Sequence, residues 1–272
     1  MGLTGNLFEG DSFSESYLSL LRGIMQRGKE KSPRGEKVRY IQDALFRVNA
    51  PGDVLSTPSR PYPVKYLNSE LRLYFSGTLS GDEFGEASKF WLKLKNPDGT
   101  INSNYGYLVF FRGISNAFEQ GKTQWQWAKQ QLIADRDTRQ ALMFISSPHV
   151  QFTGNRDFIC TLNYCFSIEG DRLSLTVNRR SQDVILGLTF DYPWEFLLME
   201  KMLNELKGVY PDLKMGSYTM FCNNVHVYGR NYELVEKMAA EAERGEREFV
   251  PIRGIVDRQI MDDFVMNPGF GG

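Results

Sequence analysis

The spacing of apolar and polar residues lays out most of the chain. Phe13, Tyr17, Leu20, Leu21 and Ile24 recur at three-and-four intervals, which predicts an amphipathic helix over 13–27. The charged run KEKSPRGEK (29–37) carries a Pro and a Gly and is expected to be an exposed loop. Residues 38–48 read as strand and 67–76 as helix. The polar stretch NPDGTINSNYG (96–106) is rich in turn residues, and the apolar YLVFF (107–111) behind it reads as a strand. A helix over 123–134 and a strand in ALMFIS (141–146) are expected next. The strongest β pattern runs from Phe158 to Val177. Cys160, Leu162, Tyr164, Phe166 and Ile168 alternate on one face, EGDR (169–172) marks a turn, and Leu173, Leu175 and Val177 alternate again, which predicts a hairpin. Pro193 suits the first turn of a helix that runs to Gly208. A short strand near 218–228, a helix over 232–244 and a mobile tail NPGFGG (267–272) complete the reading. Long strands mixed with helices, without any repeat, predict one α+β (mixed α/β) domain spanning 1–272.

Composition removes several classes of function. The net charge of -1 lacks the basic excess of a nucleic-acid binder, so no specific nucleic acid is expected as partner. Three cysteines without regular spacing argue against a disulfide framework and fit a reducing compartment. No basic segment followed by an apolar run opens the chain, Asn6 breaks the myristoylation pattern, and no stretch approaches the ~18 apolar residues of a membrane span. A cytoplasmic protein without a membrane partner is therefore expected. With His149 and His226 the only histidines and no CxxC pair, no metal site is expected and the zinc deaminase signature is missing. NAFEQGKT (116–123) ends like a phosphate-binding loop but has Asn116 where that motif needs Gly, and GFGG opens no helix.

Three polar clusters remain: DFICTLNYC (157–165), NRRSQD (178–183) and NNVHVYGRN (223–231). A thiolate at neutral pH needs a nearby positive charge, which the Arg179–Arg180 pair on the partner strand would supply. Guanidinium forks also suit phosphate oxygens. By residue type alone a half-buried strand Cys is usually core filler and RRSQD a solvated strand end. The clusters by themselves reach no further than an anion-binding α/β enzyme.

The segment DFICTLNYCFSIEGDRLSLTVNRRSQDVILGLTFDYPWEFLL resembles the catalytic core of the thymidylate synthase superfamily, in which the nucleophilic Cys precedes the Arg of an RSxD motif by the same interval that separates Cys160 from Arg180. INSNYG (101–106), DF-x-CT (157–161), the RSxDV run, FDYPW and HVY (226–228) most resemble the bacteriophage deoxycytidylate hydroxymethylases, and the likeness extends from about Glu70 to Tyr232. The resemblance implies a thymidylate synthase-like fold, a large mixed β-sheet covered by helices and dimerising through the sheet. It also implies one-carbon transfer from 5,10-methylenetetrahydrofolate to carbon 5 of a pyrimidine nucleoside monophosphate, without a metal.

Every site residue that follows is what this resemblance implies. Cys160 is the nucleophile that adds to carbon 6 and so activates carbon 5. Glu70 relays a proton and positions a water, although by pattern alone it is a solvated helix glutamate. Tyr105 assists proton removal at carbon 5. Trp91 stacks near the folate or packs in the core, and Asp183 binds the pterin. Arg180 and Ser181, with Arg34 from an N-terminal loop, meet the phosphate. Arg139 in DTRQ reaches the phosphate of the other subunit in a homodimer, and Gln140 stands where the family has a second Arg. His226 and Tyr228 hold the sugar 3'-hydroxyl, against the usual structural role of a lone strand His.

Asp191 stands where thymidylate synthases have Asn. A carboxylate accepts from the cytosine amine and favours a protonated ring nitrogen, whereas uracil would set oxygen against oxygen. Cytosine is therefore the expected base. The tail DFVMNPGFGG does not match the apolar tail that excludes water in thymidylate synthases, so water capture and a hydroxymethyl product are expected over hydride and a methyl product. The alternatives are a dCMP or dUMP methyltransferase or hydroxymethylase, a CMP hydroxymethylase, or a non-catalytic nucleotide binder. Thr161 in place of the usual His, and Cys165 in place of Gln, are further departures from the family pattern.

Overall fold

The computed structural model describes residues 5–116 and 118–271. In chain order the strands are β1 (Leu7–Gly10), β2 (Lys29–Lys31), β3 (Val38–Val48), β4 (Asp53–Ser56), β5 (Leu142–Phe144), β6 (Thr161–Glu169), β7 (Arg172–Arg179), β8 (Gln182–Asp183), β9 (Lys214–Tyr228) and β10 (Glu248–Pro251). The principal helices are α1 (Phe13–Arg27), α2 (Val64–Ser76), α3 (Gly81–Ala87), α4 (Lys89–Leu94), α5 (Gln124–Ala134), α6 (Leu188–Leu206) and α7 (Tyr232–Glu243). The chain divides into two compact units, one made of 1–63, 174–199 and 215–255, the other of 64–173, 200–214 and 256–272.

The first unit is built on a mixed sheet ordered β1-β3-β9-β7, with β2 added to β3 and β8 to β9. β1 runs parallel to β3, and β3 pairs antiparallel with β9 in a register that sets Tyr40 opposite His226. Helix α1 forms where the periodicity placed it. Ser12 and Glu15 close a capping box at its start, and the Asp53 carboxylate accepts from the Phe13 and Ser14 amides at 2.8 and 3.1 Å. Its apolar stripe enters an aromatic core in which Phe13 stacks on Tyr192 at 4.2 Å and Tyr192 meets Tyr218 edge-on at 5.0 Å. Helix α6 begins five residues before Pro193, earlier than the proline suggested. A proline there cannot donate to the carbonyl of Thr189. The Tyr62 hydroxyl donates to that carbonyl at 2.7 Å instead, so the turn survives.

The second unit holds α2 to α5 and the antiparallel pair β5–β6. YLVFF is a single π-helical turn rather than a strand. Its start is fixed by Asn104, whose side-chain oxygen accepts from the Tyr107 amide at 2.9 Å, and Leu108, Val109 and Phe110 are buried. The alternation expected through β6 holds for Tyr164, Phe166 and Ile168 but not for its start. Leu162 is exposed and Cys160 half-exposed. The amides of Ile145 and Ser146 both donate to the Leu162 carbonyl, at 2.9 and 3.2 Å, just beyond Asn163, where the regular pairing with β5 ends.

Two other expectations are corrected. Lys29–Lys31 of the anticipated loop pair with β3. The tail is packed as far as Gly271: Phe270 meets Phe75, Phe110 and Phe264, and buried Lys201 donates to the carbonyls of Phe264 and Asn267. Met1 to Thr4, Ala117 of the NAFEQGKT run and Gly272 lie outside the described residues. Among the described residues no helix is long and apolar enough to cross a membrane, and no group of three or more His, Cys, Asp or Glu side chains is placed to hold a metal.

Candidate active site

The expected site residues divide between the two units. In the second unit, Cys160 lies immediately before β6, half-exposed. Its approach is fixed by Asp157, a buried carboxylate that accepts from the Ser103 amide at 2.7 Å and the Ser103 hydroxyl at 2.8 Å. The Asn102 amide donates to the Asp157 carbonyl at 2.9 Å. Asn104 donates from its own amide to the carbonyls of Leu73 and Thr78. The NSNYG motif is thereby bolted both to the Cys160 segment and to the end of α2. Gly106 is required by the closeness of that contact, since a Cβ there would lie 1.8 Å from the Tyr74 carbonyl oxygen. Tyr105 is buried against the Tyr74 ring, 5.6 Å between centroids.

Glu70 is buried on α2 rather than solvated, with only 5% of its surface exposed. Tyr66, one turn earlier, donates its hydroxyl to Glu70 Oε1 at 2.9 Å, and the Trp91 indole N–H donates to that same hydroxyl at 3.1 Å. Trp91, Tyr66 and Glu70 thus form one hydrogen-bonded line. Tyr66 is a residue the sequence did not single out, although its i,i+4 spacing to Glu70 on a helix was there to be read. Trp91 is buried and packs edge-on against Phe84 at 4.9 Å. Arg139 is exposed. Burial pushes the Cys165 thiol above its ordinary range, so it stays protonated.

In the first unit, Arg180 and Ser181 follow β7 and are half-buried. Asp183 pairs in register with His226 through the parallel β8–β9 contact. One oxygen of Asp183 accepts from the amides of Ile185 and Leu186, at 2.8 and 3.1 Å. Burial pushes its carboxyl up, and burial pulls the His226 ring down, which favours neutral imidazole. The charges of Lys31 and Arg180 act on His226 in the same direction as burial, while Asp183 opposes them. The His226 ring meets Tyr228 edge-on at 5.2 Å, and Arg230 lies over the Tyr228 ring at 4.2 Å. Arg34 sits in a tight turn in the left-handed region, φ 53°, and its charge acts on Tyr228. The structure therefore gathers Arg34, Arg180, Asp183, His226 and Tyr228, with Lys31 and Arg230 added, into one electrostatic neighbourhood. Guanidinium groups beside an imidazole and a phenol suit a phosphorylated sugar, with Arg230 already paired to Glu36.

Asp191 occupies the first turn of α6. Its Oδ2 accepts from Arg179 Nη1 at 2.7 Å and from the Gln182 amide at 2.9 Å. Arg179 also pairs with Glu195, whose other oxygen accepts from the Tyr218 hydroxyl at 2.7 Å. Burial, with Asp191 adding to it, pushes the Glu195 carboxyl up to about 7. Arg179 continues the inward face of Leu173, Leu175 and Val177, is buried, and is engaged by two carboxylates. The alternation already contained that information.

A model of the thymidylate synthase family matches residues 15–267. The deoxycytidylate 5-hydroxymethyltransferase of Enterobacteria phage T6 is 30% identical over 179 residues, 63% of this chain and 70% of that protein. The deoxyuridylate hydroxymethyltransferase of Delftia phage PhiW-14 is 27% identical over 261 residues, 92% of this chain and 68% of that protein. Among solved structures, thermostable thymidylate synthase A from Bacillus subtilis aligns with a TM-score of 0.65 at 19% identity, covering 84% of each chain. The shared fold is the mixed α/β architecture that the sequence resemblance implied.

Proposed function

Because the chain belongs to the thymidylate synthase family, we propose that it transfers a one-carbon unit from 5,10-methylenetetrahydrofolate to carbon 5 of deoxycytidylate and completes the transfer with water, giving 5-hydroxymethyl-deoxycytidylate. One-carbon transfer to a pyrimidine nucleotide is the family's reaction. The choice of base and of product is the finer reading, and one observation carries the choice of base: Asp191 presents a carboxylate whose Oδ2 is occupied by two donors and whose Oδ1, without a hydrogen-bond partner among the described residues, is left to accept from a base amine.

Each side chain then has a chemical task. Cys160 adds as thiolate to carbon 6 of the ring, which turns carbon 5 into a nucleophile. Glu70, held by the Tyr66 hydroxyl, keeps a proton and a water in place for the ring. Tyr105 assists removal of the carbon 5 proton. Arg180 and Ser181, with Arg34, hold the phosphate, and His226 and Tyr228 bind the 3'-hydroxyl. The folate, when bound, supplies an electrophilic methylene carbon. Asp183 fits a donor-rich pterin, since one of its oxygens serves the backbone and the other remains to accept. The Trp91 indole N–H is spent on Tyr66, so Trp91 would serve through its ring. Water rather than hydride captures the transferred carbon in this reading, which the hydroxymethyltransferase names of the phage relatives support.

A homodimer belongs to the same proposal, with Arg139 reaching the partner's phosphate site. An apolar groove of about 590 Å³ that includes Trp127, Leu142 and Phe144 supports it, as does the exposure of Phe144 on β5. The Delftia phage relative favours a second reading, deoxyuridylate as substrate. Turnover of dCMP and dUMP by the purified enzyme separates the two, and product mass distinguishes hydroxymethyl from methyl. Faster turnover of dUMP than of dCMP would reject the cytosine reading.

A further inference from the structure

Asp191 does not stand alone, and the groups behind it come from the NRRSQD run and from Glu195. Arg179 and Gln182 both donate to Asp191 Oδ2, at 2.7 and 2.9 Å, and neither donates to Oδ1. Arg179 is aimed by its second ion pair with Glu195, which Tyr218 holds in turn at 2.7 Å. Gln182 is 2% exposed, and its Oε1 is buried without a hydrogen-bond partner among the described residues. A buried acceptor left unmade is costly, yet turning the amide over would set that oxygen against the Asp191 carboxylate. The orientation is therefore dictated by Asp191 together with the Asp183 carbonyl, to which the same Nε2 donates at 3.2 Å. Gly187 makes room for it, since a Cβ there would lie 2.5 Å from Gln182 Nε2.

We propose that Arg179 and Gln182 are the positioning residues of base selection. By holding Asp191 Oδ2 they fix the plane of the carboxylate and leave Oδ1 as a lone acceptor for the amine of a cytosine base. Glu195 and Tyr218 hold Arg179 in line. The inference rests on the reading of Asp191 as the group that meets the base, and it goes further by naming what gives that group its discrimination. A carboxylate free to rotate would offer either oxygen, or a shared proton, to either base.

Calorimetric binding of dCMP and of dUMP to the full-length protein tests it without folate or turnover. The wild type is expected to bind dCMP more tightly. In Gln182→Met the ratio of dCMP to dUMP affinity is expected to fall about tenfold, the worth of one hydrogen bond to a charged group. Arg179→Lys keeps the charge but loses the fork and is expected to lower the ratio likewise. Thermal unfolding of each variant reports folding, and a purely structural role would weaken both nucleotides together with the ratio preserved. A wild-type preference for dCMP that survives in both variants would overturn the clamp and leave the base reading standing. A wild type without preference would overturn both.

Discussion

Replacing Asp191 with Asn is the substitution whose outcome the structure determines most fully. The amide must meet the two donors that now bind Oδ2, Arg179 at 2.7 Å and Gln182 at 2.9 Å. Its oxygen can accept from both, whereas its NH2 in that position would face two donors. The amide is therefore fixed with its oxygen toward Arg179 and its NH2 where Oδ1 was. An NH2 there donates to the uracil carbonyl and opposes the cytosine amine. Loss of a charge-assisted bond to cytosine costs about 1.5–3 kcal/mol, and one neutral bond to uracil returns about 0.5–1.5 kcal/mol. The combined change of about 3 kcal/mol is on the order of a hundredfold in the ratio of kcat/KM for dCMP over dUMP. Steady-state kinetics with both nucleotides, at saturating folate, measure it. A ratio within about threefold of wild type would refute the argument, because neither the rigid amide nor the base contact would then be as described.

Three further outcomes follow from other parts of the molecule. Asp157→Ala strips the acceptor from Ser103 and loosens the Cys160 approach, a loss of about 3 kcal/mol and a Tm lowered by roughly 6–10 °C, read by calorimetry. Glu195 has a folded pKa of about 7, above its unfolded value of 4.5, so its favourable contribution is complete below pH 4.5 and is lost as pH rises through 7. Glu195→Gln, whose amide still accepts from Arg179 while the Tyr218 hydroxyl turns to accept, should show a smaller fall in Tm between pH 5 and pH 8. Lys201→Met removes the donor that binds the Phe264 and Asn267 carbonyls, and faster hydrogen exchange over 262–271 is the expected result.

Where local pattern and tertiary structure agree, the sequence was easy to read. Helix α1 appears at the residues its periodicity indicated, because one face of it is buried, and strand β3 spans the residues whose mixed pattern read as strand, its buried positions changing parity at Asp43, φ 53°. Helix α6 was misread at its start because Pro193 is a start signal only while the carbonyl four residues back has no other donor. Tyr62, which supplies that donor, is distant in sequence. YLVFF has the composition of a strand, and the side chain of Asn104 turned it into a helical turn. Strands β4 and β10 have four residues each, too few for a period to show. For the candidate site, residue types at family spacing named Cys160, Glu70 and Asp191, while their supports were harder to see. Tyr66 and Arg179 were readable from spacing, but Gln182 and Tyr218 act through contacts that only folding creates.

The claim on which the whole account turns is that the Cys160 thiolate adds to the pyrimidine ring and so labilises the hydrogen on carbon 5. Tritium release from 5-tritiated dCMP, measured for the wild type and for Cys160→Ala with methylenetetrahydrofolate present, tests it directly. Release by the wild type and none above background by the variant is the expected result. Release that persists without the thiol, or a folded wild type that releases none, would contradict it.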